Sequence, residues 1–113
     1  MITQIRPSQL PAWLEQARSQ GEPLVLDVRE PVELRTASIK AEGFELLTIP
    51  MSTLAARLDE LDPARPVACL CHHGSRSMQV ANFLATRGFV EVANIAGGIH
   101  AWSMEVDPSV PCY

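Results

Sequence analysis

Although 47% of its 113 residues are hydrophobic, the chain has no apolar run long enough to cross a bilayer, and no membrane role is expected. Met1-Ile2-Thr3-Gln4-Ile5-Arg6-Pro7 lacks the basic, apolar and small-residue order of an export signal, and Val110-Pro111-Cys112-Tyr113 carries no lipidation motif. A cytoplasmic location is expected. Cysteine is scarce: there are three, an odd number, and Cys69 and Cys71 stand too close in sequence to bridge within a regular strand. Free, reduced thiols follow rather than a disulfide framework. Basic residues are few as well, nine Lys and Arg against thirteen Asp and Glu, a net charge of −4. They are dispersed, which excludes the continuous basic face that a nucleic-acid partner needs. An anionic ligand must therefore be caught locally.

Internal repeats and low-complexity stretches are also missing, and nine prolines punctuate the chain at intervals typical of short alternating elements. The length suits one domain over residues 1–113, with a core at about 2–106 and a short tail at 107–113. Residues 2–5 read as a first strand, followed by a helix that Ser8 can cap, with Leu10, Trp13, Leu14 and Ala17 at helical spacing and Pro11 in the first turn. Leu24-Val25-Leu26 is a compact run suited to a strand buried on both faces, delivering Asp27-Val28-Arg29-Glu30 at its carboxyl end. A single helical turn is expected at 31–35, a third strand at 46–49, and a helix at 54–61 that Ser52 can cap. Residues 67–70 form a fourth strand, 77–87 a helix burying Val80, Ala81 and Leu84, and 90–95 a last strand. Strands alternating with helices predict an α/β domain, a small and mainly parallel sheet covered by helices on both faces. Ligands of such sheets sit beyond the carboxyl ends of the strands, where both Asp27 and Cys71 emerge.

Cys71 is the position at which chemistry is expected. It closes an apolar strand, turns through His72-His73-Gly74-Ser75-Arg76, and has a helix directly behind it. A glycine that lets the backbone curl and a helix start together aim backbone N–H groups at the sulfur, a setting that favours thiolate over thiol. The bland alternative is an inert core cysteine, the common fate of free cysteines. Arg76 is an awkward cation near a positive helix end and is expected to face an anion instead. His72 and His73 are read as solvated loop residues or substrate contacts. Asp27, Arg29 and Glu33 are expected to make a structural ion-pair frame behind the loop. Cys69 is read as a buried packing residue, Cys112 as an exposed and non-catalytic one, and Ile99 with Trp102 as core.

Three motifs in order, Leu26-Asp27-Val28-Arg29-Glu30-x-x-Glu33, Cys71-x-x-Gly74-x-Arg76-Ser77 and Gly97-Gly98-Ile99-x-x-Trp102, resemble the signature of rhodanese domains over roughly residues 2–106. That resemblance implies a rhodanese-like fold and a sulfurtransferase. Cys71 would take the outer sulfur of thiosulfate or a persulfide donor and pass it to cyanide, a small thiol or a thioredoxin-like or other protein acceptor. It also implies that no metal or organic cofactor is needed. The loop residues His72, His73, Gly74, Ser75, Arg76 and Ser77 would bind the donor, their amides cradling the persulfide. The sequence departs from the common pattern at Ser38-Ile39-Lys40-Ala41-Glu42-Gly43-Phe44, where many members carry His-Ile-x-Gly-Ala.

Three rivals differ in chemistry. Phosphatases or arsenate reductases of similar fold place five residues between cysteine and arginine, whereas four separate Cys71 from Arg76, leaving a smaller cradle. A persulfide carrier in a sulfur relay would hold sulfur without turning over small donors. Metal binding by Cys69, Cys71, His72 and His73 suffers from a spacing that lacks separated ligand pairs.

Overall fold

The computed structural model describes residues 2–39 and 43–111. Lys40, Ala41 and Glu42 of the departing stretch, and Cys112 with its expected exposure, lie outside the described residues. Among the described residues five short strands form one sheet: β1 (Thr3–Ile5), β2 (Leu24–Asp27), β3 (Glu45–Thr48), β4 (Val67–Leu70) and β5 (Val92–Ile95). Every pairing is parallel, and the order is β1-β5-β4-β2-β3. The helices are α1 (Leu10–Ala17), α2 (Pro31–Thr36), α3 (Ser75–Thr86) and α4 (Gly98–Glu105). The expected α/β architecture is thus the observed one.

The apolar runs explain the layering. All residues of β2, β4 and β5 are buried, as required of strands covered on both faces. Because side chains alternate along a strand, Leu24, Leu26, Val67 and Cys69 face one layer with Val80, Ala81 and Leu84 of α3. Val25, Ala68, Leu70 and Ile95 face the other, with Leu10, Trp13 and Leu14 of α1 and Ile99 and Trp102 of α4. Burying each large aliphatic side chain contributes roughly 1.5–3 kcal/mol against chain entropy. Val110 also packs into this second layer, its carbonyl accepting from the Ser103 hydroxyl at 2.6 Å.

Several local expectations are corrected. No α-helix forms at 54–61; the segment is 3₁₀, Met51–Thr53 and Ala55–Glu60, with Arg57 outside helical dihedrals at φ −109° and ψ 15°. Ser52 does not cap it, because its hydroxyl is drawn 3.0 Å to the Glu30 carboxylate. Leu54 and Leu61 are buried nonetheless. Ser8 caps nothing either: a 3₁₀ turn, Pro7–Gln9, precedes α1, and the Ser8 hydroxyl donates to Glu105 Oε1 at 3.0 Å. The last strand starts at Val92, leaving Val90 more than half exposed, and α3 starts two residues earlier than expected, at Ser75.

One polar cluster is sealed among these layers. Arg29 is fully buried, and its guanidinium donates to Asp27 through Nε (3.0 Å to Oδ1) and Nη2 (2.8 Å to Oδ2). Nη1 donates to the Ala37 carbonyl at 2.7 Å. The pair therefore joins the end of β2 to the end of α2. Two charges out of water are tolerated only when each is satisfied, and removing one strands the other. Arg29→Ala is expected to cost about 3–5 kcal/mol; urea unfolding monitored by circular dichroism should show the midpoint falling accordingly, with a change near zero refuting the role of the pair.

Candidate active site

Cys71 follows β4, the middle strand of the sheet, and its Sγ accepts a hydrogen bond from the Gly74 N–H at 3.1 Å. The curl that brings this amide to the sulfur needs Gly74 at φ +106°, a left-handed conformation that side chains rarely adopt. The loop is also held from behind. The Ile99 N–H donates to the Cys71 carbonyl at 2.8 Å, and the His100 N–H to the His72 carbonyl at 3.1 Å. In a planar trans peptide the C=O and the following N–H point in opposite directions. Tying both carbonyls to the first turn of α4 therefore directs the amides of His72 and His73 away from it. Gly98 makes the approach possible: at φ +56°, a Cβ there would sit 2.6 Å from the His72 carbonyl oxygen and closer still to that of Cys71.

Directly beyond, α3 begins. Its first helical bond runs from the Met78 N–H to the Gly74 carbonyl at 3.1 Å, so the amides of Ser75, Arg76 and Ser77 lie at the positive end before the ladder starts. Asn94, buried on β5, fastens this junction. Its Nδ2 donates to the Gly74 carbonyl at 3.2 Å and to Gln4 Oε1 at 3.0 Å, while its Oδ1 accepts from the buried Ser77 hydroxyl. One main-chain donor thus meets the sulfur, and the positive N-terminal end of α3 begins next to it in the chain, an arrangement suited to an anion at this position. Cys71 itself is fully buried. In this conformation the sulfur meets the Gly74 amide rather than water.

Arg76, the expected donor contact, carries a carboxylate partner: Nη1 and Nη2 donate to Glu33 Oε1 and Oε2 at 2.6 and 2.7 Å. Glu33, expected beside Asp27 and Arg29, therefore reaches forward from α2 to α3. A line of charge runs from the buried Asp27–Arg29 pair through α2 to the edge of the cysteine loop. His72 and His73 stack with ring centroids 3.8 Å apart, and His73 lies 5.2 Å from His100. Partial desolvation, followed by His72, His100 and Arg76, holds the His73 imidazolium below the usual histidine range. Among the described residues no group of three or more His, Cys, Asp or Glu is arranged to hold a metal ion. Cys69 is buried behind the loop, its thiol pushed up to about 12 first by burial and then by Cys71, which leaves it a packing residue. A groove of about 870 Å³ between α1 and α4 is lined by Leu10, Leu14, Phe44 and Trp102, without any residue of the cysteine loop. Its lining contains no cysteine.

Sequence reasoning missed Asn94, His100 and the clamping role of Gly98. For Asn94 a signal existed: a polar residue interrupting a strand otherwise fully apolar must be satisfied by something specific. Gly98 was marked by the Gly97-Gly98 pair, which does not say what approaches it; His100 contacts a segment remote in sequence and leaves no local mark.

Comparison with known proteins finds relatives in sequence and in fold. A family model described as Rhodanese-like domain matches residues 10–105. The chain is 39% identical over 114 residues to the Arabidopsis thaliana "Rhodanese-like/PpiC domain-containing protein 12, chloroplastic", covering 99% of this chain but 38% of that protein. It is 33% identical over 87 residues to a "Sulfurtransferase" of Allochromatium vinosum, covering 77% of this chain and 78% of the relative. The crystal structure of a rhodanese-related protein from Thermoplasma volcanium superposes with a TM-score of 0.71 at 32% identity, over 98% of this chain and 99% of the other.

Two outcomes follow from the loop geometry. Gly98→Ala is expected to cost about 2–3 kcal/mol and to displace the Cys71 and His72 carbonyls; unchanged stability together with unchanged Cys71 alkylation would contradict the clamp. With its proton held to about 12, Cys69 is expected to resist iodoacetamide in the native protein at about pH 9 and to react after unfolding in urea. Mass mapping of the alkylated peptides checks this, and native labelling of Cys69 ahead of Cys71 would refute it.

Proposed function

Because the chain belongs to the rhodanese-like domain family, we propose that it is a sulfurtransferase working through a persulfide on Cys71. The observation that carries this reading is the Gly74 N–H aimed at Sγ, with the N-terminus of α3 behind it. The Cys71 thiolate attacks the outer sulfur of thiosulfate, the S–S bond breaks, and sulfite leaves with the electron pair. An acceptor nucleophile then takes the terminal sulfur: cyanide departs as thiocyanate, or a thiolate becomes a persulfide, and the Cys71 thiolate is restored. The positive charge of the cradle is matched to the anion present before and after each transfer. A protein persulfide donor and a thioredoxin-like acceptor fit the same chemistry. Among the described residues no helix is long and apolar enough to cross a membrane. Cytoplasmic residence belongs to the proposal, the Arabidopsis relative being named chloroplastic.

The complete burial of Cys71 supports a second reading, a carrier whose loop is opened by a partner protein. Incubation with thiosulfate followed by intact-protein mass spectrometry is expected to show a gain of one sulfur, absent in Cys71→Ser, while circular dichroism shows that variant folded. Sulfur gain in the serine variant would remove Cys71 from its role. Rapid thiocyanate production with cyanide separates the enzyme from the carrier, which would accumulate persulfide and turn over slowly; hydrolysis of an aryl phosphate without sulfur gain would replace both readings with phosphatase chemistry.

A further inference from the structure

We infer that Asn94 is a positioning residue for the sulfur chemistry of Cys71, holding the Gly74 N–H on Sγ from the neighbouring strand; this deepens the sulfurtransferase reading and rests on it. The donor that meets Sγ belongs to the peptide joining His73 to Gly74, and the peptides on either side of it are anchored. Ahead of it, the His72 carbonyl accepts from the His100 N–H at 3.1 Å. Behind it, the Gly74 carbonyl meets three donors among the described residues: the Met78 N–H at 3.1 Å, the Ser77 hydroxyl at 3.2 Å and Asn94 Nδ2 at 3.2 Å. Two of these belong to α3 and move with it. Asn94 alone of the three reaches across from the sheet, where it stands in register with Cys69 of β4 and Gln4 of β1. With planar peptides, only the φ and ψ of Gly74 separate its N–H from its C=O, and a glycine resists rotation about them less than any other residue. The aim of the N–H therefore depends on a tie to the sheet at this carbonyl.

The chemistry of position 94 matches this role. Asn94 is 3% exposed and Ser77 fully buried. A polar side chain there is unfavourable unless each of its groups is bonded, whereas an aliphatic residue would continue the apolar pattern of β5 without that burden. The carboxamide is fully engaged: Nδ2 carries two hydrogens, one for the Gly74 carbonyl and one for Gln4 Oε1 at 3.0 Å, while Oδ1 takes the Ser77 hydroxyl. A hydroxyl has a single proton, and the nearer acceptor of Ser77 is Asn94, so the Gly74 carbonyl is left to Nδ2 and the Met78 N–H. Nor can the carboxamide be turned around, because Oδ1 would then confront the Gly74 carbonyl, which only accepts.

The test compares wild-type protein with Asn94→Asp, which keeps the shape of the side chain but when ionised offers no donor, and Asn94→Leu, which fills similar space without polar atoms. The Val28 N–H, bonded to the Leu70 carbonyl at 2.9 Å, is the reference amide within the sheet. Amide hydrogen exchange followed by NMR is expected to show Gly74 exchanging about tenfold faster in both variants, with Val28 changing less than about twofold. Leu84→Ala, which weakens the core at the far half of α3, shows what a loss of stability alone does and should not accelerate Gly74 ahead of Val28. Sulfur gain on Cys71 from thiosulfate, read by intact-protein mass spectrometry, is expected to slow roughly three- to tenfold in both Asn94 variants. Gly74 exchange at the wild-type rate in both variants, acceleration of Gly74 and Val28 by the same factor, or sulfur gain at the wild-type rate in Asn94→Asp would each overturn the inference. Wild-type protein that gains no sulfur would instead defeat the sulfur-transfer reading, and exchange at Gly74 would still decide whether Asn94 holds the amide.

Discussion

The site depends on where two carbonyl oxygens go. Were those of Cys71 and His72 turned inward, they would point lone pairs at the Cys71 sulfur and disfavour any negative charge there. The first turn of α4 prevents this by donating the Ile99 and His100 amides to them, at 2.8 and 3.1 Å. One pair of backbone hydrogen bonds therefore sets the sign of the potential inside the loop. Everything else contributes to keeping those bonds in register: Gly98 permits the close approach, Asn94 fixes the Gly74 carbonyl, and Trp102 and Ile99 anchor α4 in the core beneath.

Charge is distributed around this loop in two zones. Behind it the Asp27–Arg29 pair is wholly enclosed and bonded at every donor of the fork that meets Asp27 or Ala37, which makes it a joint between β2 and α2. At the mouth, Glu33 and Arg76 repeat the pairing half-exposed, joining α2 to α3. The same residue types thus act as a permanent lock where water is absent and as a weaker strap where it is partly present, since solvent screening reduces what an exposed pair contributes.

Much of this was legible in the chain. The runs 24–26 and 67–70 could only be strands buried on both faces, and a cysteine closing the second of them before a glycine loop marked the candidate nucleophile without reference to coordinates. The three ordered motifs resembled the family to which the chain belongs. What failed was the capping rule at Ser8 and Ser52. Both hydroxyls were claimed by glutamates remote in sequence, Glu105 and Glu30, and no local pattern records such competition. The helix expected at 54–61 has the right apolar stripe, and Leu54 and Leu61 are indeed inside, yet the backbone tightens into 3₁₀ turns because burial selects a face without selecting a pitch. Glu33 was placed in the right neighbourhood with the wrong arginine, since its spacing along the chain does not say which way α2 turns it.

The enclosure of Cys71 reaches beyond substrate access. Peroxide and low-molecular-weight disulfides destroy or cap a reactive thiol through direct contact with its sulfur, and a sulfur without solvent-facing surface is shielded from them. The burial that would restrict a sulfur donor in the proposed transfer therefore guards the same atom against oxidation.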